Sequence, residues 1–443
     1  MVTAQELQQE KTGLGNYFIA NYPPFSFWKP SHVPDALAAL ERPPEPGTPL
    51  GLYLHIPFCR KRCKFCYFRV YTDKNGDDVK TYLDAIVKEV ELYARTPVVG
   101  GRHVDYVYFG GGTPSYLSAT QLRSLMERVQ AALPWDRARE VAFECEPGTL
   151  QKHKLETLKD LGVNRLSLGI ENFSDEILST NGRAHLSGEI YRAYGWAREV
   201  GFDQINIDLI AGMLGETWDN WRDCVRKAIE LSPECVTIYQ MELPFNTIFS
   251  QELKVIGNDS PDQGTIADWP TKRAWVEYAF NEFLAAGYDI SSAYTVVKDK
   301  TKTQFVYRDA LWRGADMFGT GVASFGHVNG VHVQNVDTWE QYIGKLERDE
   351  LPIGRALPVS MRHRFVREML LQLKTGRLDP AYFRDKFGAD ILKEFGTRYR
   401  ELAELGWLNV TDSAVEVTPK GLLVIDRLLP TFFDPEHRSA RYT

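Results

Sequence analysis

Cys59, Cys63 and Cys66 stand in the run Leu54-His-Ile-Pro-Phe-Cys-Arg-Lys-Arg-Cys-Lys-Phe-Cys-Tyr67, a C-x3-C-x2-C spacing with no fourth cysteine nearby. Thiolates this close suit a soft metal centre. A [4Fe-4S] cluster is normally held by four cysteines, so three would leave one iron open to a small molecule, and an open iron implies chemistry. Structural zinc needs four closed ligands, and the only nearby candidate, His55, lies in a short apolar run that reads as a strand end. Cys145, Cys224 and Cys235 are scattered singly and read as small buried hydrophobes. A disulfide framework does not suit so long a chain with so few cysteines.

Further along, Gly110-Gly-Gly-Thr-Pro114 follows the apolar run Tyr106-Phe109. Successive glycines let backbone approach a ligand and offer it N–H and C=O groups. No Gly-Lys-Ser/Thr follows, and the spacing is not that of a dinucleotide fingerprint, so the loop reads as a clamp on a ligand of the open iron. Glu144-Cys-Glu-Pro-Gly148 places two carboxylates on one side of a strand, if the strand extends that far. Glu144 suits an amine or a ribose. Leu168-Gly-Ile-Glu-Asn172 and Ile207-Asp-Leu-Ile-Ala-Gly212 repeat the pattern, with Glu171 and Asp208 at or just past strand ends. Arg183 and His185, in Asn181-Gly-Arg-Ala-His185, offer the positive partner for a ligand carboxylate.

The elements that must position these groups follow from periodicity. Strands are expected at 52–56, 106–109, 140–144, 165–169, 204–210 and 235–240, with amphipathic helices at 79–93, 119–132, 152–161, 189–200, 218–230 and 271–286. Such βα units predict parallel strands joined by right-handed crossovers. About six of them make a partial (β/α)6 barrel, whose C-terminal rim would collect the cysteines and the polar motifs. Residues 1–48 read as an aromatic, proline-rich arm and linker, 49–290 as the partial barrel, and 291–355 as a glycine-rich connecting region on the substrate side. Residues 356–443 read as a winged-helix-like domain, with helices at 361–373, 380–387, 391–405 and 420–427 around a hairpin at 407–418. The class is α/β.

The 443 residues can bury a large core, and 52 basic against 59 acidic residues give a formal charge of -7. No Lys/Arg stripe compensates, so nucleic acid is not the expected partner. The first residues lack a basic segment followed by an apolar one, and no apolar run approaches membrane-spanning length. A reducing cytoplasm is the expected setting.

Assembled, these motifs resemble the radical S-adenosylmethionine (SAM) superfamily, in the branch of oxygen-independent coproporphyrinogen III oxidase. The resemblance rests on Leu54-His-Ile-Pro-Phe-Cys59 with its cysteines, Gly110-Gly-Gly-Thr-Pro-Ser115, Arg165-Leu-Ser-Leu-Gly169, Asn206-Ile-Asp-Leu-Ile210, Tyr239-Gln240 and Asn181-Gly-Arg-Ala-His185. It implies that Cys59, Cys63 and Cys66 hold a [4Fe-4S] cluster whose fourth iron is chelated by SAM. One electron would then cleave SAM to methionine and a 5'-deoxyadenosyl radical. By position, Gly111, Gly112, Thr113, Glu144, Glu171, Arg183 and Asp208 would contact SAM, with Tyr53 flanking the cluster region. An electron donor such as flavodoxin or ferredoxin is implied.

The chain departs from that oxidase at three places. Phe68 stands where the oxidases carry a further cysteine, Glu171 where they usually have glutamine, and Leu243-Pro-Phe-Asn-Thr247 where they usually have Glu-Pro-Gly-Thr. These departures favour a paralogue. The expected reaction is C-methylation or cyclopropanation of a planar or unsaturated small molecule, using a second SAM. One alternative is decarboxylation of porphyrinogen propionates, gripped by residues such as Arg308 and Arg313. The other is a haem-binding chaperone on the same scaffold.

Overall fold

The computed structural model describes residues 19–242, 247–249 and 266–438. The first part of the arm, with Tyr17 and Phe18, and Leu243 to Asn246 of the departing run lie outside the described residues.

Six strands form at the expected places: β1 (Leu50–Ile56), β2 (Val104–Gly111), β3 (Glu140–Cys145), β4 (Arg165–Glu171), β5 (Gln204–Ala211) and β6 (Cys235–Gln240). They pair in chain order and in parallel. Helices cover their outer faces, so the outward residues are buried apolar ones, as in Leu50, Leu52, Leu54 and Ile56 of β1. Inward residues alternate with them and include polar and aromatic ones, among them Tyr53, Tyr108, Glu144, Ser167 and Asp208, which set the interior chemistry. The covering helices start on local signals; Gly76–Ala94 opens with Asn75 accepting from the Asp77 and Asp78 N–H groups.

The region after residue 290 is less irregular than its glycines suggested. β7 (Asp289–Ser292) and β8 (Thr295–Val297) extend the sheet antiparallel beyond β6. β9 (Asp316–Thr320) joins β1 in parallel on its other side. β10 (Phe325–Val328), β11 (Val331–Asn335) and β12 (Ile353–Pro358) continue antiparallel to the edge. The result is one open twelve-stranded sheet, curled as a partial barrel without closure.

Residues of the arm pack on this body. Lys29 bridges Ala356 of the edge strand, and Tyr22 is fully buried in the core of the last domain. That domain has the expected helices Met361–Leu373 and Pro380–Phe387, and a small sheet of β13 (Arg377–Leu378), β14 (Leu408–Val410) and β15 (Val415–Val417). Two expected helices are each broken in two. The backbone leaves helical geometry at Phe395 and again at Val424, so that Phe395 can turn into the core beside Phe365 and Tyr399.

Candidate active site

The loop after β1 carries the three cysteines and is fastened from several sides. Cys59 N–H donates to Tyr71 O (3.1 Å), and Lys64 N–H to Asn181 O (3.1 Å). Thr113 Oγ1–H donates to Cys59 Sγ and an Arg183 N–H to Cys63 Sγ, both at 3.3 Å. Burial pushes the Cys59 thiol up to about 12, and it raises Cys66 as well. Ionised sulfurs here therefore call for a metal's charge, and donors already aimed at sulfur fit an iron–sulfur cluster.

The triple glycine acts differently from the expected clamp. Gly112 N–H donates to Ile56 O and Thr113 N–H to Phe58 O, each at 2.8 Å, while Gly111 N–H goes to a Glu144 oxygen at 3.2 Å. These N–H groups serve the protein rather than a ligand. A Cβ on Gly112 would lie 2.8 Å from the Pro57 carbonyl carbon, so glycine is what allows β2 to press against the cysteine loop. Gly111 also needs its glycine for a φ of 114°.

Beside the cysteines lies a cavity of about 510 Å³, lined among others by Cys66, Gly112, Thr113, Glu144, Glu171, Arg183 and Asp208. The three carboxyls come from inward positions of β3, β4 and β5. Tyr108 O–H donates to Glu144 (2.8 Å), and Ser167 and Asn206 donate to the two oxygens of Asp208 (2.9 Å each). Burial pushes Glu144 and Glu171 each up to about 7, and the carboxyls repel one another. Burial also raises Asp208. Glu171 gets inside through a register shift between β4 and β5, with the residue itself at a φ of 67°. Gly169 leaves the room that lets Arg183 reach Glu171 at 3.5 Å and donate to Gly169 O at 2.6 Å. Buried carboxyls short of positive charge suit a cationic ligand, and Arg183 suits a carboxylate; SAM carries both.

Two expected site residues do other work. His185 is buried against Glu146 and Ile170 O (3.3 Å each), so it does not face a ligand. Glu146, just past the strand end, takes two bonds from Arg60 at 2.7 and 3.2 Å, so although it also borders the cavity its carboxylate is committed to the loop, while that of Glu144 has no cation among the described residues. Tyr53 lines a second, larger cavity rather than flanking the cysteines, and His55 bonds the Tyr53 hydroxyl there at 3.3 Å.

This second cavity, of about 720 Å³, shares Tyr67, Phe68, Glu144, Tyr239 and Tyr294 with the first. Its walls include Tyr53, Tyr108, Phe305, Tyr307, Trp312 and Phe325, with the cations Arg69, Arg308 and Arg367 among them. Arg313, expected to grip carboxylates, faces a different cleft and lies over the Tyr382 ring. Arg367 escaped the sequence reading because it sits inside an amphipathic helix pattern. Tyr108, Ser167 and Asn206 had a legible signal, a polar residue every second place inside an apolar strand. His327 and His332 lie across the Asn329-Gly330 turn joining β10 to β11, and that dipeptide is the usual hairpin signature.

A partial parallel barrel whose first loop carries three cysteines beside an acidic pocket defines a class of metal-dependent radical enzyme. The Radical SAM superfamily model matches residues 53–228. The heme chaperone HemW of Bacillus subtilis (strain 168) is 30% identical over 386 residues, covering 86% of this chain and 98% of the relative. The oxygen-independent coproporphyrinogen III oxidase of Escherichia coli (strain K12) is 28% identical over 410 residues, covering 89% and 87%. The solved coproporphyrinogen III oxidase (HemN) of Escherichia coli has the same fold, with a TM-score of 0.79 at 24% identity over 95% of this chain and 96% of that one. The chain belongs to the radical SAM superfamily, in the branch that holds oxygen-independent coproporphyrinogen III oxidase and its relatives. It is accordingly an enzyme of the [4Fe-4S] and SAM type. Neither relative is a methylase, and the expected C-methylation or cyclopropanation draws no support from them. No described helix is long and apolar enough to cross a membrane.

Proposed function

We propose that this enzyme acts on a carboxylate-bearing tetrapyrrole and removes carbon dioxide from a propionate side chain. Arg367 carries the reading. Its side chain is 2% exposed on the wall of the larger cavity, and among the described residues no carboxylate lies within ion-pairing distance of it. The only bond described for it is from Nε–H to Ala20 O, at 2.7 Å. An isolated buried cation is costly, and a substrate carboxylate would offset that cost. Arg308, whose Nη1 is buried without a partner, would hold a second one. The aromatic walls suit a planar ring system.

The histidines add a contact that a pyrrole would use. His332 Nε2–H donates to Tyr22 O (2.9 Å), so its Nδ1 accepts the Nδ1–H of His327 (3.1 Å). This leaves His327 Nε2 with a free lone pair on the cavity wall, where it can accept a pyrrole N–H. Cys59, Cys63 and Cys66 would hold the cluster, and Glu144, Glu171, Asp208 and Arg183 would orient SAM against it. When bound, the cluster and SAM would supply a carbon radical that takes one hydrogen atom from the propionate; loss of carbon dioxide then leaves a vinyl group and releases one electron, which an external one-electron acceptor takes. Tyr239 and Phe68, in the shared wall, would set the approach of the substrate carbon.

The test is anaerobic turnover of cluster-loaded protein with reductant, SAM and coproporphyrinogen III, followed by mass spectrometry. Carbon dioxide with 5'-deoxyadenosine, absent in Cys63→Ala, supports the reading. S-adenosylhomocysteine without carbon dioxide would overturn it in favour of methyl transfer. Stoichiometric haem binding with no SAM cleavage would overturn it in favour of a chaperone.

A further inference from the structure

We propose that His363, Glu436 and His437 form a site for one divalent transition metal ion, distinct from the cluster, that locks the N-terminal arm onto the last domain. One ligand atom from each of the three residues lies within 4.8 Å of the others, the span a single ion requires. None of the three lines either cavity of the active site.

Protonation of the rings supports ligation. The Tyr22 hydroxyl has one proton, and it donates that proton to an Asp434 carboxylate oxygen (3.2 Å) while accepting the Asp434 N–H (3.1 Å). With that arrangement the hydroxyl can also accept from His437 Nδ1 at 3.0 Å, the tautomer of His437 that metal ligation through Nε2 requires. Nε2 is left with a bare lone pair. A ligating histidine is commonly held in this way through its other nitrogen. His363 contributes an Nδ1 that is buried without any partner, and its ring lies 5.4 Å from that of His437. Glu436, exposed beside them, supplies the anionic oxygen. The nearby Arg362 is already paired with Asp434 and Glu394, so its charge opposes a cation only weakly.

Two imidazoles and a carboxylate, with a position left for water, suit Zn²⁺ and its neighbours. The ligands come from the helix Met361–Leu373 and the turn Pro435–His437. Tyr22 is clasped between them, two residues from the Ala20 carbonyl that holds Arg367. An ion here would therefore steady the arm that forms part of the substrate cavity wall.

The experiment titrates Co²⁺ into tag-free, cluster-loaded protein under anaerobic conditions. One equivalent should bind with visible d–d bands and without a new sulfur-to-cobalt charge-transfer band, and Zn²⁺ should displace it. Glu436→Gln, at an exposed position that leaves folding intact, and His363→Gln should each weaken binding by at least about 10-fold, and Tyr22→Phe by about 10- to 100-fold. Bound Zn²⁺ should raise the thermal midpoint of the wild type and not that of His363→Gln. No uptake at about 100 μM metal, uptake that the three variants leave unchanged, or a thiolate signature would overturn the proposal.

Discussion

Replacing Glu146 by glutamine tests what fastens the cysteine loop. Burial pushes this carboxyl up, but bonds from His185 and Arg60 more than offset that and hold it at about 2. Against an ordinary glutamate at 4.5, the drop is worth about 3 kcal/mol of stability at neutral pH. The Arg60 side chain is 38% exposed, so solvent screens its share, and about 2 kcal/mol is the expected loss for Glu146→Gln. The folded pKa lies below the unfolded one, so this stabilisation is fully present above about pH 4.5 and disappears as the pH falls through about 2. Glutamine has no such dependence. The gap between wild type and variant should therefore stay constant from about pH 7 to about pH 5 and narrow below that, which urea unfolding of cluster-free protein from about pH 5 to about pH 3 can follow. Iron content after reconstitution should fall too, because Arg60 and the segment around His185 both lose their anchor. Equal stability at neutral pH, or a gap that does not change with pH, would refute this account of the loop.

Glu171→Gln removes a carboxyl that the fold holds up at about 7. Its folded pKa lies above the unfolded value, so its contribution is harmless below about pH 4.5 and costs stability progressively as the pH rises from there to about 7; the variant should gain on the wild type over that range, by at most about 3 kcal/mol, in paired unfolding curves. Arg367→Met should weaken binding of a carboxylated porphyrin by about 30-fold or more while leaving the thermal midpoint nearly unchanged, because the isolated buried charge goes as well. A fluorescence titration that finds equal affinity would remove Arg367 from the substrate site. Gly112→Ala, which drives a methyl group into the Pro57 carbonyl carbon, should cost about 1–3 kcal/mol and deplete the cluster, as read from iron and sulfide content.

The sequence exposed the parallel half of the fold because each strand there is a short apolar run with helical periodicity on either side. The same strands marked Glu144, Glu171 and Asp208 by placing charge where apolar residues were expected, and the structure gathers all three at one cavity. The later strands were missed for a physical reason. All are short, and β9 and β12 are defined by pairing with strands far away in sequence, whereas β7–β8 and β10–β11 are local hairpins whose few residues give too little periodicity to read. The roles of Glu146 and the triple glycine were hidden in a similar way, because a motif shows which groups could meet a ligand and not which are already taken by the protein. Arg313 and Arg308 looked equivalent on paper; only the turn after the helix Val306–Leu311 separates the one from the cavity that the other lines.

The two adjoining cavities divide labour along the chain. The walls around the cysteines come almost wholly from residues before 243, whereas the far side of the larger cavity is built from the arm and from residues after 291. If the two cavities serve as proposed, radical generation and substrate choice are carried on different stretches of sequence that meet at Tyr67, Phe68, Glu144, Tyr239 and Tyr294. Substitutions in the later stretch can retune what is bound while the cluster loop stays untouched. A scaffold built this way can change occupation by redecorating one room.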